Sequence, residues 1–300
     1  MSNTEKSISK YYNVYERLQH QPSEKILDDR PEPDPDIPPI PLPYDGFGHF
    51  LDIVDAHDDV PGLADVDVLM LRKEVDDLAS KMTGYFNNED DQRDAALPCL
   101  DCIFSVRGGI TIPKLAAAAI GSDGYNIATH GTGTMAVKVK NWSTGTTSLP
   151  QIELVCYIVR LDARGMDDNI RRQLYLQWRV PCLGLTIIGE LNVSCLFDIL
   201  IFLGCDIMFY AIVLIDHHFR LVTLTPTFSC IQSALDGCDC MSLYLAFSAA
   251  SVLQAHILHN ATRLLDNPPP VIPVAARHFP AVSRLRKYPA SSDGYFNFEI

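Results

Sequence analysis

Two lysines stand one residue apart in Lys138-Val139-Lys140, with Asp123 upstream and Glu153 downstream. Residues i and i+2 of a strand face the same way, so on a strand these two ammonium groups sit side by side. Such a pair can bind a phosphate or a strand end, and only with converging carboxylates beside it would phosphodiester hydrolysis follow. Mg²⁺, bound by converging carboxylates, neutralises developing charge and activates water, while a cation beside it orients the water or steadies the pentavalent state. Two ammonium groups on one face repel Mg²⁺ rather than bind it. Asp123 alone is a weak metal ligand, and Glu153 is the acid able to migrate into the role. The plain alternative is an edge strand carrying two lysines on its solvent face, an ordinary device against aggregation.

The elements around these residues follow from periodicity and punctuation. Apolar spacing of three and four at Val68, Leu71, Val75, Leu78 and Met82 predicts a helix within 64–86. Glu89, Asp90 and Asp91 are suited to the start of a second helix, 89–105, kinked or delayed by Pro98. Thr134–Lys140 reads as a strand after Gly131 and Gly133, and Ser143–Ser148 as a turn-rich loop. Helices follow at 149–164 and 167–179, then β-rich runs at 183–189, 207–215 and 219–224, the last two joined by a hairpin at Asp216-His217-His218. A long helix, 243–265, ends at Asn267-Pro-Pro-Pro270. This order implies an α/β domain over 60–265, a mixed central sheet flanked by helices. Residues 1–45 form a proline-rich, disordered or strap-like arm, and 270–300 a basic, proline-bearing tail.

The stretch Asp123 to Asn141, with Pro150-Gln151 and Tyr157 after it, resembles the PD-(D/E)XK, restriction-endonuclease-like superfamily, most of all the nuclease-like segments of fungal families that stand alone or beside fungal-type kinase and Crinkler-type effector domains. In that pattern an acid opens one strand, the next carries Glu-X-Lys, and the following helix supplies a glutamine. Val139-Lys140-Asn141, the loop 143–148, Pro150-Gln151 and Tyr157 fit; Lys138 stands where the glutamate belongs. The resemblance implies a restriction-endonuclease-like fold. It assigns Asp123, Lys140 and Gln151 to catalysis if the domain is active, with Glu153 as a substitute acid, Asp123 to the metal, and adds Lys138 and Asn141 as further site residues, Lys138 with Lys140 able to bind a phosphate or a strand end. With the glutamate lost, it implies a degenerate, catalytically impaired domain acting as a nucleic-acid or protein interaction module. The rival readings are a structural or regulatory scaffold without nucleic-acid binding and an active Mg²⁺-dependent nuclease with a migrated carboxylate. Mg²⁺ is the cofactor only if the domain is active. The pattern further suggests that 190–204 is an insertion, read through from an intron or else an added apolar loop or strand.

Whole-chain properties narrow the classes. The net charge of −13 repels phosphate backbones at long range, leaving only a local groove for nucleic acid. Nine cysteines, an odd number set mostly in apolar runs, suit a reducing compartment, and the polar first residues carry no secretory h-region. A cytoplasmic or nuclear protein is therefore expected, with no membrane contact: Glu190, Asp198 and Asp206 interrupt the apolar run 180–216. Cys99-Leu-Asp-Cys102 and Cys238-Asp-Cys240 lack the paired-knuckle spacing of zinc sites, Cys156 reads as a core cysteine, and His256 with His259 reads as a surface pair. Oligomeric state is left open.

Overall fold

A computed structural model describes residues 20, 26–28, 39–41, 43–57, 59–84, 86–105, 124–127, 133–140, 150–162, 181–193, 201–215, 218–230, 238–266, 289–290 and 294–295. Among the described residues the sheet carries seven strands: β1 (Leu27–Asp28), β2 (Gly124–Ile127), β3 (Gly133–Lys140), β4 (Cys182–Val193), β5 (Ile201–Ile215), β6 (His218–Thr223) and β7 (Phe228–Ser229). Their order is β1-β6-β5-β4-β3-β2, with β7 paired to β5. The β3–β4 and β1–β6 pairs are parallel, and the remaining pairs antiparallel. The sheet is therefore mixed, as expected. The parallel β3–β4 step needs a crossover, and α4 (Pro150–Asp162) lies between those strands in the chain. A separate two-residue pair, β8 (Pro289–Ala290) with β9 (Gly294–Tyr295), lies in the tail.

Strand alternation divides the core. Met135, Val137 and Val139 of β3, with the odd-numbered residues 183–187 of β4 and 205–213 of β5, face one layer. That layer holds α1 (Asp45–Val54), α2 (Val68–Met82), α3 (Glu89–Ser105) and α5 (Cys238–Asp266). Ala136, Cys182, Tyr210 and Ile212 point the other way and meet Ile152, Leu154, Val155 and Ile158 of α4. Gly184 lets α4 sit down on the sheet: a Cβ there would lie 3.0 Å from Leu154 Cδ1 and 3.2 Å from Tyr210 Cβ.

The packed body begins before residue 60. Phe47, Phe50 and Ile53 of α1 are buried, as are Ile40 and Tyr44, and Ile26 packs in the α4-side cluster. The described part of the proline-rich arm thus acts as a strap, with β1 closing one edge of the sheet. Of the 190–204 segment, residues 190–193 and 201–204 are described, and they extend β4 and β5: the ladder runs without a shift from Gly189↔Cys205 to Val193↔Ile201. The helix 167–179 and the turn residues Asp216 and His217 fall outside the described residues. Within α5, Cys240–Ala261 is long and apolar enough to cross a membrane, yet most of it is buried against the protein itself.

His256 corrects the expected surface pair. Its ring packs on Tyr44 and His49, with centroids 5.5 and 5.7 Å away, and its Nδ1 is buried without a hydrogen bond, while His259 is exposed. A Cβ on Gly46 would stand 2.8 Å from that nitrogen, so α1 and α5 meet as closely as backbone permits. Burial pushes the His256 imidazole below its usual value; Asp45 opposes this, and His49, His259 and Arg263 reinforce it. Above the unfolded value of about 6.5 both states are neutral. As pH falls below it, the unfolded chain takes a proton that the folded one holds less well, so stability declines until the lowered folded value is passed. Urea midpoints should fall between about pH 7 and pH 5, and His256→Phe should flatten that decline. An unchanged slope in the variant would contradict this account.

Candidate functional site

β3 lies between β2 and β4, so it is an interior strand, and its lysines do not face solvent. Lys138 and Lys140 are 3% and 7% exposed. This overturns the edge-strand reading, because a buried ammonium must be paired. Among the described residues each faces two carboxylates. Lys138 Nζ lies 2.5 Å from Glu89 Oε1 and 3.6 Å from Glu153 Oε2. Lys140 Nζ lies 3.3 Å from Glu153 Oε1 and 3.6 Å from Glu89 Oε2. Each carboxylate bridges both ammonium groups, so that among the described residues these four side chains form a mutually paired quartet whose own formal charges sum to zero.

Local sequence positions each member. Lys138 and Lys140 share the face of Ala136 through strand alternation. Asn88 starts α3: its side chain accepts from the Asp91 N–H at 2.8 Å and donates to the Asp91 carboxylate at 3.0 Å, a reciprocal cap that fixes Glu89 in the first turn. Arg93 pairs with Asp90 and Asp94, which leaves Glu89 as the acid of that run turned inward. Pro150 occupies the first position of α4, as its fixed φ favours, and puts Glu153 in the first turn. Both carboxylates thus sit at helix N-termini, where the macrodipole favours negative charge.

The expected site residues divide in three. Lys138, Lys140 and Glu153 come together. Gln151 is buried at the start of α4, two residues before Glu153. Asp123 and Asn141 lie outside the described residues. Glu89 is the member that sequence reasoning missed. Its signal was the acidic run at 89–91, which was read only as a helix start. Two buried polar atoms are the Thr186 hydroxyl, on the β4 residue in register with Lys138, and Gln92 Oε1, three residues after Glu89 in the chain. Neither has a hydrogen-bond partner.

Asp123, the expected metal ligand, lies outside the described residues, and the acids that are described, Glu89 and Glu153, do not by themselves make a Mg²⁺ site. Both carboxylates are taken up by ammonium groups that would have to be displaced by, or remain beside, a divalent cation. Among the described residues no group of three or more histidine, cysteine or acidic side chains converges as a metal site. Nor are the lysines available as simple phosphate binders, since each already faces two carboxylates. No family model matches the chain, and neither a curated protein nor a solved structure shows significant similarity to it.

Proposed function

We propose that this chain is a lapsed nuclease-like domain, catalytically impaired, that works as a non-hydrolytic interaction module and contacts protein in preference to nucleic acid. The observation carrying this reading is the neutral quartet. Where hydrolysis would need carboxylates free to hold a metal, each acid is held by lysine. Where backbone binding would need free cations, each lysine is held by glutamate. The surrounding layout supports the nuclease-like ancestry: a β2–β3 hairpin, the lysines on its second strand, then a crossover helix bearing Gln151. The acidic net charge supports a protein partner.

A second reading has a specific observation behind it. Glu89 and Glu153 converge within reach of Lys140, so a migrated acid pair could serve an active enzyme if Lys138 withdrew. One set of measurements separates the two. Titration calorimetry of the full chain with Mg²⁺ should give no binding, and incubation with single- or double-stranded DNA no cleavage. DNA affinity should be negligible at physiological salt. Lys138→Glu should bind Mg²⁺, with thermal stability that rises on adding the ion, because three carboxylates then surround one ammonium. Cleavage by the unaltered chain that Lys140→Ala abolishes would sink the lapsed-enzyme reading. A Lys138→Glu protein indifferent to Mg²⁺ would remove the nuclease-like ancestry from it.

A further inference from the structure

We propose that the exposed apolar face formed by the first turn of α2 and the start of α5 docks a partner protein, and that the segment it takes is a basic amphipathic helix. This rests on the interaction-module reading above: it says where that partner is held and by what chemistry. None of the residues involved belongs to the lysine–glutamate quartet.

Among the described residues, the large hydrophobic side chains that stand exposed are Val68, Leu69, Met70 and Met241, with Leu69 at 80%. They are neighbours. Arg72 Nη2 lies 3.5 Å from Met241 Sδ. Val68 and Leu69 precede Arg72 by four and three residues, so they adjoin it on the helix. Met70 carries the surface round the same turn. A single exposed apolar side chain needs no explanation, but a contiguous set marks an interaction site. Starting the helix does not call for these residues. The Asp67 side chain already accepts from the Met70 N–H at 3.0 Å, which caps α2 by itself.

The face is also held in place. The Arg72 guanidinium lies over the Tyr244 ring, 5.5 Å from its centroid, and the Tyr244 hydroxyl donates to Asp76 at 2.5 Å. These contacts tie α2 to α5 beside the apolar residues. Methionine, tyrosine and arginine are the types that gather at the centre of protein interfaces. The unbranched thioether of methionine adapts to apolar partners of different shape.

Charge selects the occupant. Residues 65–77 carry five acids, Asp65, Asp67, Glu74, Asp76 and Asp77, against Arg72 and Lys73. Arg72 does little to offset them at the surface. Its Nε is buried without a hydrogen-bond partner among the described residues, and its Nη2 is turned to a sulfur. The apolar face therefore has an acidic rim, on a chain whose net charge is −13. Such a rim repels acidic or phosphate-bearing segments and steers in one with lysine or arginine beside its apolar stripe. Apolar residues at i, i+3 and i+4 of a partner helix match a face of this kind. A second copy of this chain fits less well, because it brings the same acidic rim against its own.

The probe is a fluorescein-labelled peptide of leucine and lysine, about 18 residues or five turns long, with its leucines on one helical face. One control has the same composition with the leucines scattered round the helix. Another keeps the pattern but replaces lysine by glutamate. Anisotropy with the folded, full-length chain should show binding of the first, several-fold weaker binding of the second and none of the third. Leu69→Ser should weaken the first by about tenfold, as expected when one leucine no longer becomes buried. Its melting temperature should stay put, since that side chain is mostly in water already. Asp65→Asn/Asp77→Asn should weaken binding several-fold at low salt and little at high salt. Binding that Leu69→Ser leaves unchanged is only attraction to an acidic chain and overturns the proposal. Equal binding of the two leucine–lysine peptides overturns it too, as does a preference for the leucine–glutamate one. A peptide-free dimer that Leu69→Ser dissociates, seen by light scattering, gives the face to a second copy and overturns it as well. A chain that ignores all three peptides, neither cuts DNA nor binds Mg²⁺, loses this surface and keeps the lapsed-enzyme reading. A chain that cuts DNA yet binds the first peptide through Leu69 keeps the surface and loses that reading.

Discussion

Replacing Lys138 with methionine should cost about 3–5 kcal/mol of stability, the penalty for leaving a buried charge uncompensated. The methionine keeps the length and apolar stem of the lysine, so the loss is electrostatic rather than steric. Lys138 is 4% exposed at its side chain, and Glu153 is 7% exposed. Removing the cation takes these four groups from a formal charge of zero to −1 and leaves, among the described residues, Lys140 between two carboxylates. Glu89 has 29% exposure and can turn toward water; Glu153 cannot. The double variant Lys138→Met/Glu153→Gln restores neutrality and should recover most of the loss. Urea unfolding of the four proteins gives the coupling, expected to exceed about 1 kcal/mol for side chains in one network. A single variant within about 0.5 kcal/mol of the unaltered chain, the range of surface substitutions, would mean that the quartet is no buried network, and the functional reading built on it would fail.

The same quartet shows how far the sequence could be read. The strand carrying Lys138 and Lys140 and the helix carrying Gln151 and Glu153 follow from short-range signals, glycine punctuation, alternation and helical periodicity, whereas the parallel pairing of β3 with β4 does not. Nor does the partner Glu89. It lies 49 residues from Lys138, and nothing local distinguishes it from Asp90 and Asp91, which pair or cap on the surface. Choosing among three consecutive acids needs the packing of α3 against β3, which is a tertiary fact. The helix α1 was missed for a different reason. Gly46 and Gly48 argue against a helix there, but Phe47, Phe50 and Ile53 recur every three residues, and their burial outweighs propensity. His256 was misread because its own helix shows only His259 and Arg263 nearby. Tyr44 and His49, which cover it, come from the other end of the chain. A restriction-endonuclease-like topology stays with the proposal, as does the interaction role.

Phe209→Ala should be the most damaging apolar substitution, because this ring joins the two ends of the chain through the sheet. It sits on β5, fully buried, with Phe50 of α1 at 5.9 Å and Phe247 of α5 at 5.1 Å and 85°, an edge-on pair. Its backbone is also committed: its carbonyl accepts from the Leu224 N–H at 2.8 Å, and its N–H donates to the Thr225 hydroxyl at 3.2 Å. With the strand held in place, little can collapse into the space left by the ring, and truncation should cost about 3–5 kcal/mol. The edge-on contact accounts for about 0.5–1.5 kcal/mol beyond burial. Phe219 on β6 is the control, since it is half-buried and its alanine variant should lose clearly less. Because Phe50 loses its partner, amides of α1 should exchange faster in Phe209→Ala than those of α4, which packs on the opposite face. Equal costs at Phe209 and Phe219, or faster exchange in α4 than in α1, would show that α1 is not part of the folded core and would return the start of the domain to residue 60.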